Sequence, residues 1–105
     1  MNYLTALFAG LFLCNCIPHL VCGLKGEPFP TPFSKPPGVG DSSPLTNFLW
    51  GAANLILGAG LINWHPIEIG FTPQCLVLVI AFVLCGAWTA CHFGNVRAGK
   101  MKKPL

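Results

Sequence analysis

Charged residues are scarce in this chain of 105 residues. Only 9% are Asp, Glu, Lys or Arg, whereas 53% are hydrophobic, and an average soluble domain is about 25% charged. So few charges cannot cover the surface of a soluble domain of this size. The mean hydropathy of +0.64 therefore indicates lipid as the solvent. We predict a single all-α integral membrane domain over residues 1–105.

Acidic residues are missing from every long apolar segment. The three that occur, Glu27, Asp41 and Glu68, all lie in connecting segments. Small proton-coupled multidrug transporters have a similar length, but they need an acidic residue inside the membrane and four spans. This sequence lacks both features, which argues against that class.

Catalytic motifs are absent as well. The sequence has no phosphate-binding loop, no zincin-type motif and no G-x-S-x-G, which are the local signatures of several enzyme classes. Ser42 and Ser43 have no companion base and are expected to act as helix caps. We therefore expect no catalysis, so this protein is not predicted to be an enzyme.

The six cysteines would suggest a disulfide framework in a short secreted chain. Here five of them fall inside apolar runs or at their ends, where cysteine behaves as a small hydrophobic residue. We interpret them mainly as packing residues. These five are Cys14, Cys16, Cys22, Cys85 and Cys91.

Three apolar segments are predicted to cross the membrane, at about 4–22, 45–64 and 74–93. A helix of about 19 residues rises about 28 Å, close to the hydrocarbon thickness of a bilayer. The first segment has neither a positive region before it nor an A-x-A-like cleavage site, so we expect it to be retained.

Proline and small polar residues mark the predicted helix ends. Ser43 followed by Pro44 is typical of a helix start, and Thr72 followed by Pro73 repeats that pattern. Gly94 is expected to end the third helix as a C-terminal cap.

The segment 23–44 between the first two spans holds six prolines and four glycines. Its sequence PFPTPF cannot form a helix, because each proline removes a donor and clashes with the preceding turn. We predict an ordered, extended connector lying at the membrane surface. The alternative is a docking loop for a partner, since Pro-rich segments suit aromatic grooves.

Basic residues predict the orientation. Lys25 and Lys35 lie in the long loop, whereas the N-terminus and the loop 65–73 have no Lys or Arg. The positive-inside rule then places the long loop and the tail 94–105 in the cytoplasm and the N-terminus outside, in a cell (inner) membrane. A basic tail beside an apolar segment indicates contact with lipid, and no nucleic-acid partner is expected. The basic residues of the tail are Arg97, Lys100, Lys102 and Lys103.

Small and polar residues recur on one face of each predicted helix. Lipid provides no hydrophobic force between helices, so such faces are expected to mark helix contacts. On the second and third helices the spacing places them on one stripe. The predicted packing residues are Gly51, Asn54, Gly58, Ala81, Cys85 and Thr89.

Two histidines and two asparagines are predicted to form a cluster. His19, Asn47 and His92 lie near the cytoplasmic ends of their spans, within roughly 5 Å of one membrane level, and Asn15 lies one turn deeper than His19. Polar residues inside a membrane are costly and often functional. We therefore regard these four residues as a candidate binding site.

These patterns favour a structural or accessory subunit of a membrane complex or homo-oligomer, in contact with the lipid bilayer. An alternative is a protein that binds haem, a metal or a quinone through His19 and His92, because imidazole ligates metals and hydrogen-bonds to rings. A second alternative is a small oligomeric channel or transporter, suggested by the face carrying Asn47 and Asn54.

Overall fold

The structure, a computed structural model, describes residues 2–101 of the chain, and these residues form three α-helices. The helices are α1 (Tyr3–Lys25), α2 (Pro44–Trp64) and α3 (Pro73–Met101). Each is long and apolar enough to cross a membrane. The prediction of an all-α chain with three helices that are long and apolar enough to span a membrane is confirmed. Lys102 and Lys103 of the basic tail lie outside the described residues.

The N-terminal ends of α2 and α3 form where the sequence predicted them. Ser43 Oγ accepts a hydrogen bond of 3.1 Å from the Thr46 amide, and Pro44 occupies the first turn. Thr72 Oγ1 accepts a hydrogen bond of 3.3 Å from the Cys75 amide at the start of α3. These side chains satisfy amides that have no partner inside the helix.

The first helix is longer than predicted and ends at a glycine. Gly26 has a φ of 73°, and its amide and that of Glu27 donate to the Gly23 and Cys22 carbonyls, at 3.2 and 2.9 Å. This pattern is a Schellman motif, which requires the left-handed backbone that glycine adopts without strain.

The predicted end of the third helix at Gly94 is wrong. α3 continues through Gly94 to Met101 and has 29 residues, so it is about 43 Å long and exceeds the hydrocarbon thickness of about 30 Å. One glycine costs a helix only about 1 kcal/mol, and the extension is anchored where Lys100 Nζ lies 2.8 Å from Asp41 Oδ1.

α1 lies between the other two helices. It packs against both α2 and α3, whereas no Cα atom of α2 comes within 8 Å of one of α3 in the described part of the chain. Residues 26–43, hereafter the connection, contact both α2 and α3. The connection therefore joins two helices that do not meet each other.

The connection is held to α2 by a hydrogen bond and an aromatic contact. Asn47 Nδ2 donates to the Phe29 carbonyl at 2.8 Å. The rings of Phe33 and Trp50 meet edge to face, with centroids 5.1 Å apart. The proline-rich segment is thus packed against helix side chains.

The other side of the connection is held by contacts with α3. His92 Nε2 lies 2.9 Å from the Gly38 carbonyl oxygen, and the Phe29 and Phe93 ring centroids are 4.6 Å apart. Thr31, which is 1% exposed, organises the interior of the connection, because its carbonyl accepts from the Gly38 amide at 2.9 Å.

Glycines let α1 and α2 approach closely. A Cβ atom on Gly51 would lie only 2.8 Å from the Leu20 amide nitrogen and 3.1 Å from the Cys16 carbonyl oxygen. A Cβ on Gly58 would lie 2.8 Å from a methyl carbon of Leu13. The absence of side chains at these positions sets the distance between the two helices.

The contact between α1 and α3 uses small residues in the same way. Ala81 is the one residue of α3 that is buried within the described structure, and a Cβ on Gly10 would overlap the Leu78 carbonyl oxygen. Cys85 and Thr89 are half-buried. Cys85 Sγ lies 4.0 Å from the Leu11 carbonyl oxygen, so this stripe faces α1.

We expect Gly51→Ala to lower the free energy of unfolding by about 1–3 kcal/mol, the typical cost of overpacking. The added methyl group would meet the backbone of α1 at Leu20, which cannot move without separating the helices. Unfolding by a denaturing detergent, followed by circular dichroism, measures this change.

Gly60→Ala is the matched control in the same helix, because a Cβ at Gly60 meets nothing within 4 Å. Its stability should stay equal or rise by up to about 1 kcal/mol, since alanine favours a helix more than glycine. Equal losses in the two variants would contradict the role given to Gly51.

Candidate functional site

A buried hydrogen bond joins α1 to α2. His19 Nδ1 lies 2.8 Å from Asn47 Oδ1, and the two residues are 2% and 0% exposed. Asn47 Nδ2 faces three backbone carbonyls, those of Phe29, Ser42 and Ser43, at 2.8, 3.2 and 3.1 Å. Carbonyls only accept hydrogen bonds, so the amide nitrogen must face them and the amide oxygen must face His19.

The orientation of Asn47 fixes the tautomer of His19. Because Asn47 Oδ1 accepts, His19 Nδ1 must carry the proton and donate it. In the neutral ring, Nε2 then keeps its lone pair. His19 makes no other hydrogen bond with the described residues. Its Nε2 is therefore available as an acceptor or ligand.

A second polar pair, Asn15 and Asn54, lies further along the interface between α1 and α2. Asn15 Nδ2 donates to Asn54 Oδ1 at 3.2 Å, and Asn54 Nδ2 donates to the Trp50 carbonyl at 2.8 Å. Asn54 is 1% exposed and Asn47 is 0% exposed, and both make hydrogen bonds inside the chain.

His92 is oriented from the other side by the connection. Its Nε2 must donate to the Gly38 carbonyl, 2.9 Å away, because that oxygen only accepts. The ring is stacked on Trp88 with centroids 4.8 Å apart and an angle of 8°. His92 is thus held in place by α3 and the connection together.

These residues border a cavity of about 370 Å³, hereafter the histidine cavity. Its walls come from α1 (Asn15, His19), α2 (Trp50) and α3 (Trp88, His92). This volume lies within the range of small-molecule sites, roughly 300–1,000 Å³. The remaining lining residues are Pro30, Thr31, Pro32, Pro37, Gly38 and Phe93. Most of the lining is therefore aromatic or proline.

Of the four residues predicted from the sequence, the structure places three at this cavity. Asn15, His19 and His92 line it, whereas Asn47 does not and acts on it through its hydrogen bond to His19. The sequence argument missed the two tryptophans. Their spacing carried a signal, because Trp50 precedes Asn54 by four residues and Trp88 precedes His92 by four.

Trp50 carries an unpaired donor. Its indole Nε1 is shielded from solvent and has no hydrogen-bond partner among the described residues. Leaving a buried donor unpaired costs about 1–3 kcal/mol. Trp50, which has the unpaired donor, and His19, which has the free acceptor Nε2, are both lining residues of the histidine cavity.

The donor set at the cavity does not fit a metal ion. No group of three or more His, Cys, Asp or Glu residues converges within residues 2–101. The two imidazoles each have one nitrogen in a hydrogen bond to the protein, and the other polar groups are an amide, a hydroxyl and an indole. These groups suit hydrogen bonding to an organic molecule.

Comparisons with protein-family models, with curated proteins and with solved structures find no match to this chain. The functional argument therefore depends on the cavities and their side chains.

We expect Asn47→Ala to destabilise the protein by about 1–3 kcal/mol, because it leaves His19 Nδ1 without a partner in a buried site. Nitrogen-15 spectra of labelled histidine should show one His19 tautomer in the parent protein and lose that preference in the variant.

Asn63→Ala is the control, because Asn63 is an exposed asparagine near the other end of the same helix. It should change neither the stability nor the His19 spectrum. A His19 tautomer that is unchanged in Asn47→Ala would show that the amide does not orient the ring.

Proposed function

We propose that this protein is a non-catalytic membrane protein that binds a small lipophilic molecule in the histidine cavity. The observation that carries the proposal is the presence of a free acceptor at a mostly apolar cavity. His19, which lines the cavity, supplies this acceptor through Nε2. Apolar sites with a few oriented polar groups are typical of small-molecule recognition.

The ligand class that fits these groups is a quinone-type aromatic ring. Its hydroxyl form can donate to His19 Nε2. The flat pair of Trp88 and His92 offers a stacking surface for such a ring. Metal ions are less well supported, because no group of three or more His, Cys, Asp or Glu side chains converges within residues 2–101. Haem ligation by both histidines is less well supported because His92 Nε2 already donates to the Gly38 carbonyl.

The proposed setting is a cell membrane with the N-terminus outside and the connection in the cytoplasm. Lys25, Lys35, Arg97 and Lys100 all lie in the connection or at the helix ends next to it, which supports this orientation by the positive-inside rule. A ligand dissolved in the bilayer would then reach the histidine cavity sideways, between α2 and α3, because no Cα atom of one lies within 8 Å of a Cα atom of the other.

Titration with a short-chain benzoquinol, the hydroxyl form, followed by tryptophan fluorescence in nanodiscs, tests the proposal. In a Trp64→Phe background the remaining tryptophans, Trp50 and Trp88, both line the cavity, so quenching should be saturable. His19→Leu should weaken binding about tenfold, the effect of losing one hydrogen bond to a buried group.

His65→Leu is the control, because His65 follows α2 at its other end and does not line the cavity. Circular dichroism of each variant checks that the helices are retained. Quenching that does not saturate, or binding that is the same in folded His19→Leu as in the parent, would refute the proposal.

A second candidate function is that of an accessory subunit that assembles with copies of itself through α3. The observation that favours it is a stripe of exposed small residues at steps of four, three and four. Such stripes let helices approach closely in lipid. Of the three helices, α3 also has the smallest buried fraction in its most apolar stretch, 6%. The stripe consists of Ala87, Cys91, Gly94 and Ala98.

Gly94→Leu should convert such an oligomer to monomers without disturbing the fold, because a Cβ at Gly94 meets nothing within 4 Å. Native electrophoresis and energy transfer between labelled copies in nanodiscs measure the change. Gly60→Leu on α2 is the control, since it adds the same side chain at another open position. A parent protein that is monomeric in nanodiscs would refute this candidate.

A further inference from the structure

A second cavity of about 480 Å³ lies at the end of the molecule where α1 stops and α3 continues. We refer to it as the basic cavity. It is bordered by the last turns of α1, by the extension of α3 and by the two ends of the connection. Pro30 and Phe93 line both cavities, so the two adjoin. The lining residues used below are Lys25, Glu27, Asp41, Phe93, Val96, Arg97 and Lys100.

The charges around the basic cavity do not cancel. Three basic residues face two acidic ones. Lys25 Nζ lies 3.2 Å from Glu27 Oε1, and Lys100 Nζ lies 2.8 Å from Asp41 Oδ1. Arg97 makes no ion pair or hydrogen bond with any residue of the range 2–101. One positive charge therefore remains, and it belongs to a guanidinium group.

The opposite part of the lining is apolar. Pro28, Phe29, Phe93 and Val96 supply carbon surface next to the charged groups. Phe29 and Phe93 pack together with centroids 4.6 Å apart, which gives this wall a fixed shape. A cavity with one charged side and one apolar side matches an amphiphile better than a small inorganic ion.

The position of the basic cavity relative to the membrane also suits an amphiphile. α3 is about 43 Å long, whereas the hydrocarbon core is about 30 Å thick, so roughly nine residues of α3 extend beyond the core. Arg97 and Lys100 belong to the last turns of this helix, and Lys25 is the last residue of α1. The three cations therefore lie at the level of the lipid headgroups.

We propose that the basic cavity binds the phosphate headgroup of an anionic phospholipid, with Arg97 as its principal ligand. A guanidinium group can donate two parallel hydrogen bonds to a phosphate, which makes arginine the preferred partner for this group. The wall formed by Phe29, Phe93 and Val96 accommodates the first carbons of the acyl chains. Lys25 and Lys100 hold the two ends of the connection through their ion pairs.

Native mass spectrometry of the delipidated protein in detergent tests this proposal. Phosphatidylglycerol should bind about tenfold more tightly than phosphatidylcholine, because both carry the phosphate but the choline group adds a positive charge next to the uncompensated Arg97. Arg97→Gln should abolish the preference. Arg97→Lys keeps the charge but not the two parallel bonds, so it should keep only part of the preference.

Lys35→Gln is the matched control, because it removes the same charge from an exposed residue of the connection that does not line the cavity. It should leave the preference intact. Equal losses in Arg97→Gln and Lys35→Gln would reduce the effect to general electrostatic attraction and overturn the proposal.

Titration with inorganic phosphate distinguishes the source of the anion. Phosphate that competes as well as phosphatidylglycerol at equal concentration would overturn the assignment to a lipid. None of these variants alters a residue of the histidine cavity, so the result is independent of quinone binding. Arg97 is exposed, and circular dichroism verifies that its variants fold.

Discussion

The hydrogen bond between His19 and Asn47 is the contact on which the rest of the structure depends. It joins α1 to α2 at 2.8 Å in a site that water does not reach. Asn47 Oδ1 accepts from His19, and the hydrogens on Asn47 Nδ2 are donated to backbone carbonyls, including that of Phe29 in the connection. Because lipid provides no hydrophobic force between helices, buried polar contacts and close packing must hold them together. One amide thus ties two helices to the segment between them.

The connection takes the place of a contact between α2 and α3. Phe33 packs on Trp50 of α2, and Gly38 accepts a hydrogen bond from His92 of α3. Phe29 contacts His19 and Phe93 through its ring, with centroids 5.5 and 4.6 Å away. Both cavities owe their walls to this arrangement, because each is bordered by helices and by the connection.

Local signals in the sequence predicted the helices. The features that were not predicted depend on contacts between residues that are far apart in the sequence. Hydropathy and the pairs Ser43-Pro44 and Thr72-Pro73 act within one turn, so they indicated the spans and two starts. The extension of α3 beyond Gly94 is anchored by Lys100 and Asp41, which are 59 residues apart. The pairing of His92 with Gly38 spans 54 residues, and no periodicity encodes it.

Asn47 and His19 differ in how completely the protein uses their polar groups. Every polar atom of Asn47 has a partner within the chain, so its place in the membrane is explained by structure alone. His19 uses one nitrogen, and its other nitrogen has no hydrogen-bond partner among residues 2–101, although the side chain lines the histidine cavity. A polar group inside a membrane is costly, and an apolar side chain could fill the same space on α1. The unused nitrogen of His19 is therefore the feature that helix packing does not explain and ligand binding does.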